Sequence, residues 1–292
     1  MAMPKWLAGD LTAAGVRLLA AARIDNAEQE CRWILADLLA TGAGDLALHP
    51  EREIPEPVAN RFHSLVARRA TGEPLQYVMG TVEFHGLTLQ VGPGVLAARS
   101  ETELLVDFAL RCQLPGPICD LCTGSGAIAL ALAAERPETR IYGVDISPQA
   151  LAYAQKNREL LKLDQVEFFL GDLFAGLPAG TGPFAIVTAN PPYVSEAEYA
   201  SLDPSVKDYE PALALVSGAD GLDLLRRIAT ATPGWLLPGG MLICEIGCDQ
   251  GPAAAAIVAA AGFTMVEILP DYAGRDRFVT GRKPSGGDYR GG

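Results

Sequence analysis

From about residue 99 onward, short apolar runs alternate with helix-like runs, and this alternation narrows the possible folds more than any other property of the chain. Ile118–Leu121 reads as a strand, Ala127–Glu135 as an Ala-rich helix, 141–144 as a strand, Pro148–Leu161 as a helix and Val166–Leu170 as a third strand. Phe184–Ala189 is wholly apolar apart from one threonine and reads as a buried fourth strand. After a long connection come a helix near 221–230, a strand at 241–246, a helix at 252–261 and closing strands near 265–269 and 278–280. Repeated βαβ units of this kind predict an α/β domain built on a doubly wound parallel sheet.

The first 75 residues have a different character. Cys31, Ile34, Leu35, Leu38 and Leu39 recur on one helix face. Asp25 with Glu28 resembles a capping box at the start of that helix. Pro55 opens a second helix, with Val58, Phe62, Leu65 and Val66 on one face and Gly72 as its stop. The expected domains are a helical bundle at 1–75, a β-hairpin linker at 76–98 running from Tyr77 to Val91, the α/β domain at 99–282 and a disordered Gly-rich tail at 283–292.

The loop Asp120-Leu-Cys-Thr-Gly-Ser-Gly joins the first strand of the α/β region to its first helix. Gly124 and Gly126 permit a tight turn and close approach of backbone to a ligand. N–H groups at the helix start favour a carboxylate or phosphate. Asp145 closes the next strand, 19 residues beyond Gly126, where a carboxylate can accept both hydroxyls of a ribose. The bland alternative is a structural βα turn followed by a capping aspartate. Gly124-x-Gly126-x-x-Ala129 also satisfies the dinucleotide pattern. Two features favour S-adenosyl-L-methionine. Asp172 and Leu173 follow the third strand, placed to hold adenine. Asn190-Pro191-Pro192-Tyr193 ends the fourth, while a hydride-transfer enzyme would want a proton donor there and no histidine follows His85.

Asn190 to Tyr193 puts a side-chain amide, a carbonyl and an aromatic face at one strand mouth. The prolines fix φ and remove backbone donors, so the segment is stiff and cannot extend a sheet. Such a set suits a flat, neutral, NH₂-bearing group, whose hydrogens need acceptors and whose plane needs a stacking partner.

The net charge of −12 argues against a nucleic-acid binder, because no basic stripe is available to release counterions from phosphates. No run approaches eighteen apolar residues and the N-terminus lacks a signal peptide's apolar stretch, so a cytoplasmic protein with no membrane contact is expected. Cys119-x-x-Cys122 invites a zinc or redox reading, with Cys244 and Cys248 as the candidate second pair. Reduced, structural cysteines and no metal are the expectation for all six, which include Cys31 and Cys112.

With these residues in view, the chain resembles the class I S-adenosylmethionine-dependent methyltransferases, and more closely the release factor glutamine methyltransferases of the PrmC/HemK group. Gly72-Glu-Pro-Leu-Gln-Tyr77, Phe84-x-Gly86, Arg99-Ser-Glu-Thr-Glu103, Tyr209-Glu-Pro211, Glu245-Ile-Gly247 with Gln250-Gly251, and Gly274-Arg-Asp-Arg277 carry the likeness over nearly the whole length. The resemblance implies a Rossmann-like, mostly parallel seven-stranded sheet and a helical N-terminal domain that docks class I peptide chain release factors. It implies methylation of the glutamine amide in their Gly-Gly-Gln motif, with S-adenosyl-L-homocysteine as product; a monomer is the separate expectation. By position, Cys122, Thr123, Gly124, Ser125 and Gly126 would hold the methionine end of the cofactor, Asp145 its ribose, and Asp172 and Leu173 its adenine. Asn190, Pro191, Pro192 and Tyr193 would hold the glutamine, with Asn190 near both ligands and Asn190, Pro191 and Tyr193 catalytic. Cys122 stands where a glycine is usual, Ala98 and Ser100 where prolines are, and Ala185 where an aspartate is.

Three other readings remain open at this stage. A methyltransferase for DNA adenine or a ribosomal-protein glutamine would share Asn-Pro-Pro-Tyr. A nicotinamide-dependent oxidoreductase would share the Gly-rich loop. A non-catalytic module would share the fold alone.

Overall fold

A computed structural model describes residues 6–285, and backbone contacts divide the chain into two units. The first comprises residues up to Thr81 together with Pro204–Tyr209. It is helical: α1 (Ala8–Ala21), α2 (Ala27–Leu38), α3 (Ala43–Leu48), α4 (Glu56–Ala70) and α5 (Leu75–Met79), with a short antiparallel pairing of β1 (Trp6–Leu7) and β2 (Glu53–Ile54). The periodic positions read from the sequence form its core. Cys31, Ile34, Leu35 and Phe62 are fully buried, and Leu65 and Val66 nearly so. Arg69 grips Glu30 with two charge-assisted bonds, Nε to Oε2 at 2.6 Å and Nη2 to Oε1 at 3.1 Å, which tie α4 to α2.

Two local expectations are corrected here. Asp25 and Glu28 form no capping box. Helix α2 starts after Asn26, whose φ of −96° and ψ of 30° is not the extended geometry a side-chain cap needs, and Glu28 pairs with Arg32 instead. The stretch beginning at Tyr77 is also not yet strand. Pro74 presents its carbonyl to the N–H groups of Tyr77 and Val78, so one helical turn (α5) forms until Gly80, at φ 79°, ends it. The hairpin proper is β3 (Thr81–Phe84) with β4 (Leu87–Gln90).

The second unit, Val82–Asp203 with Glu210 onward, is built on seven strands. These are β5 (Ile118–Leu121), β6 (Ile141–Asp145), β7 (Val166–Leu170), β8 (Phe184–Ala189), β9 (Leu236–Glu245), β10 (Thr264–Pro270) and β11 (Asp276–Arg282). Their spatial order is β10-β11-β9-β8-β5-β6-β7. Strands β5 to β9 run parallel, and β10 and β11 pair antiparallel at one edge. The expected mostly parallel seven-stranded sheet is therefore present. Helices α6 (Glu103–Arg111), α7 (Ala127–Glu135) and α8 (Pro148–Leu161) neighbour one another. Beyond two single turns, α9 (Glu196–Tyr199) and α10 (Pro204–Lys207, part of the first unit), come α11 (Asp223–Ala231) and α12 (Gly251–Ala260), which pack together. Helix α7 is buried from Ala127 to Ala133, all but its last two residues, which explains why it lacks a polar face.

Strand β9 is longer than the sequence suggested. It starts at Leu236 rather than 241, and a register shift between the Phe184 and Ile186 pairings with β8 accommodates Pro238-Gly239-Gly240. Helix α11 begins at Asp223 rather than Gly221, because Gly221 sits at φ 75°. Lys283, the first residue of the expected tail, is anchored by its Nζ to the carbonyls of Pro233 and Leu236, each at 2.7 Å. The rest of that tail, 286–292, lies outside the described residues. Among the described residues, no helix is long and apolar enough to cross a membrane.

Candidate active site

The chain leaves β5 toward the β6 side of the sheet and returns, after β7, to the β8 side. The switch point where ligands settle in such sheets therefore falls between the carboxyl ends of β5 and β8. These two strands are in register, Leu121 opposite Ala189, so the Gly-rich loop and Asn190 start side by side. The same pairing sets Asp120 opposite Thr188, and the buried Asp120 carboxylate accepts from Thr188 at 2.8 Å and from Thr123 at 2.6 Å. Burial pushes the Asp120 carboxyl up to about 7 despite those two bonds. It serves to tie loop to sheet.

A cavity of about 330 Å³ opens at this end of the second unit. Cys122, Thr123, Gly124 and Ser125 line it from the β5–α7 loop, Asp145 from the end of β6, Asp172 and Leu173 from beyond β7, and Asn190 and Pro192 from beyond β8. The fold thus gathers most of the expected site residues around one space. Gly126, Pro191 and Tyr193 are not part of its wall. Gly126, at φ 83°, starts α7, and a Cβ there would come within 2.8 Å of Phe168, so glycine is required by close packing as well as by conformation. Pro191 is buried and Tyr193 half-buried.

Cys122, in the position where a glycine is usual, has φ 56°. The left-handed geometry expected of a glycine is kept with a side chain in place, at a conformational cost of about 1–2 kcal/mol. Burial holds its thiol well above the usual range, so it is neutral. All six cysteines are free thiols, and among the described residues no group of three or more histidines, cysteines or carboxylates could hold a metal ion.

Asp145 accepts from Gly124 N through Oδ2 and from Ser147 N through Oδ1, both at 2.8 Å. One backbone bond to each oxygen fixes the carboxylate and leaves both with a lone pair for further hydroxyl donors. Burial raises its pKa, and the Ser147 and Gly124 N–H groups oppose that rise. Asp172 is engaged by Arg227, whose Nη2 donates to Oδ2 at 2.6 Å across the cavity rim. This donor set matches an adenosine-bearing ligand: a fixed carboxylate, a glycine loop at a helix start and an apolar flank at Leu173.

The Asn190 side chain donates through Nδ2 to Thr102 Oγ1 at 3.3 Å. Thr102, on the 3₁₀ turn Ser100–Thr102, donates to Glu245 Oε2 at 2.6 Å, and Tyr193 lies close enough to feel the same carboxylate. Burial, reinforced by Glu101, pushes Glu245 up to about 7, while Thr102, Arg277 and Tyr193 pull it down. Burial, with Glu245 beside it, holds the Tyr193 phenol at about 12. Nearby, Arg99 donates to the buried Glu210 carboxylate, which also accepts from Ala97 N, fixing the stretch that brings Ala98 to the cavity. Sequence reasoning assigned no role to Thr102, Glu245 or Arg227. The first two lie inside quoted motifs, which was the available signal. Arg227 sits on an ordinary amphipathic helix and gave none.

Comparison with known proteins agrees with this geometry. The PrmC N-terminal domain family matches residues 10–80, and a methyltransferase domain family matches residues 116–216. The release factor glutamine methyltransferase of Cereibacter sphaeroides is 41% identical over 95% of this chain and 99% of its own length. That of Deinococcus radiodurans is 37% identical over the same shares, 95% and 99%. Among solved structures, a methyltransferase from Pyrococcus furiosus superposes with a TM-score of 0.51 at 16% identity, covering 77% of this chain and 99% of that one. The Thermus thermophilus 16S rRNA N2 G1207 methyltransferase, in complex with AdoMet and guanosine, gives 0.51 at 20% identity over 70% of this chain and 49% of its own. These two structural likenesses establish the Rossmann-like methyltransferase fold. Identity at this level over almost the full length of both chains goes further: this chain belongs to the release factor glutamine methyltransferase family.

Proposed function

We propose that the protein transfers a methyl group from S-adenosylmethionine to the side-chain amide nitrogen of the glutamine in the Gly-Gly-Gln motif of class I peptide chain release factors. The observation that carries this reading is the placement of Asn190-Pro191-Pro192-Tyr193 beside the Gly-rich loop, set by the Leu121–Ala189 register. Bound S-adenosylmethionine supplies an electrophilic methyl on a sulfonium sulfur. Asp145 would hold the ribose hydroxyls with its remaining lone pairs, Asp172 and Leu173 would hold the adenine, and the Cys122–Gly126 loop would receive the amino-acid end.

A carboxamide nitrogen is a poor nucleophile because its lone pair is delocalised, so it must be held in line at near-attack distance. Asn190 Oδ1 and the Pro191 carbonyl accept its two N–H bonds. They also stabilise the positive charge that grows on nitrogen as the new N–C bond forms. Tyr193 offers its ring to the amide plane. The excess proton leaves the nitrogen for water after transfer, so no strong base is needed.

We further infer that the helical first unit docks the release factor, that the enzyme works as a monomer in the cytoplasm, and that it needs no direct nucleic-acid contact. The test is incubation with labelled methyl donor and a release factor carrying either Gly-Gly-Gln or Gly-Gly-Ala. Label on the Gly-Gly-Gln protein alone supports the reading; equal labelling of both refutes it.

A further inference from the structure

An asparagine amide can present either its oxygen or its NH₂ to a substrate, and only the oxygen can accept from a glutamine amide. Something must fix that choice. Thr102 has one hydroxyl proton, and it is given to Glu245 Oε2 at 2.6 Å. Toward Asn190 the same hydroxyl can therefore only accept, and it does so from Nδ2 at 3.3 Å. Thr102 and Glu245 are 3% and 2% exposed, so water does not compete for these bonds.

We propose that Thr102 and Glu245 are positioning residues that set the direction of the Asn190 amide, reserving Oδ1 for the substrate N–H. This rests on the reading of Asn190 as an amide acceptor and adds the device that enforces it. Glu245 faces Glu101 on the same turn as Thr102, Arg277 from β11, and Tyr193. At pH 8, above the value of about 7 at which burial holds it, Glu245 is an acceptor only.

The test is steady-state methylation of a Gly-Gly-Gln release factor at pH 8, with S-adenosylhomocysteine affinity measured alongside by calorimetry. Thr102→Val keeps shape but removes the acceptor. Glu245→Gln can offer its NH₂ to Thr102, which then donates to Asn190 and turns the amide around. Both lower kcat about 10- to 100-fold, the scale of a misplaced reacting group, with KM and product affinity within about threefold. Thr102→Ser, which retains the hydroxyl, restores kcat to within about threefold of the parent. In an Asn190→Ala background, Thr102→Val has no further effect, because the two act through one interaction. A Thr102→Val enzyme with parental kcat, or one whose loss multiplies with that of Asn190→Ala, overturns the positioning role while leaving Asn190 as acceptor. A parental rate for Asn190→Ala itself overturns the underlying reading instead.

Discussion

Gln250 donates through Nε2 to the Tyr193 carbonyl at 2.9 Å, so the residue that caps α12 holds the end of the loop beyond β8. The same side chain reaches the Asp220 carbonyl at 3.2 Å and accepts from Gly247 N at 2.8 Å. Gly221 leaves room for it: a Cβ there would lie 2.1 Å from the Tyr193 carbonyl oxygen and 2.6 Å from Gln250 Nε2. Gln250→Leu fills a similar volume without these bonds. It should destabilise the protein by about 1 kcal/mol, the net contribution of a typical hydrogen bond that is not fully buried. Urea denaturation followed by circular dichroism measures this, and an unchanged midpoint would show that the clamp carries no weight.

On the proposed role of Asn190, Asn190→Ala removes an acceptor aimed at charge that develops during transfer. Loss of one such preorganised group costs about 10²–10³ in kcat. The side chain is only partly buried and its bond to Thr102 is long, at 3.3 Å, so the melting temperature should stay close to the parent's. Methyl transfer at saturating donor, paired with a thermal melt, separates the two effects.

Asp145→Asn keeps the shape of the carboxylate but turns one acceptor into a donor. A hydrogen bond to a charged group contributes about 1.5–3 kcal/mol, which corresponds to about 10- to 100-fold in cofactor affinity. Calorimetric titration with S-adenosylhomocysteine checks it; an unchanged dissociation constant would remove Asp145 from the ribose role.

Stability should fall as pH rises. Asp120 and Glu245 are both raised to about 7 in the folded protein, well above their values of 3.8 and 4.5 as free side chains. A carboxyl raised by folding favours the native state while protonated. That contribution is complete below the unfolded values and is lost as pH climbs through about 7. Denaturant midpoints between pH 4 and pH 8 should therefore decline on account of these two groups. Asp120→Asn should flatten part of the slope, leaving the share due to Glu245. A slope identical to the parent's would show that Asp120 does not titrate in this window.

The elements that could be read from sequence were those whose local pattern agrees with their environment. Val166–Leu170, Phe184–Ala189 and Pro148–Leu161 were placed to the residue because a buried strand or a capped amphipathic helix announces itself locally. Strand β9 was expected only from 241, because Pro238-Gly239-Gly240 is not strand-like by itself and only the pairing with β8 shows that a bulge accommodates it. Tyr77 looked like strand because aromatic and β-branched neighbours surround it, whereas Pro74 behind it decides for a helical turn. Asp145 and Asn190 project from strand ends, so their place beside the cavity could be read from sequence. Thr102 and Glu245 could not be assigned a role, since they lie 143 positions apart and meet only through the fold.

The rung joining Leu121 to Ala189 has a consequence for how such enzymes diversify. Donor and acceptor halves hang from adjacent strands, welded by main-chain bonds that no side-chain change can break. The four residues beyond β8 can therefore be rewritten for a new nucleophile while the grip on the sulfonium compound stays as it is, and the distance between the two is inherited from the sheet.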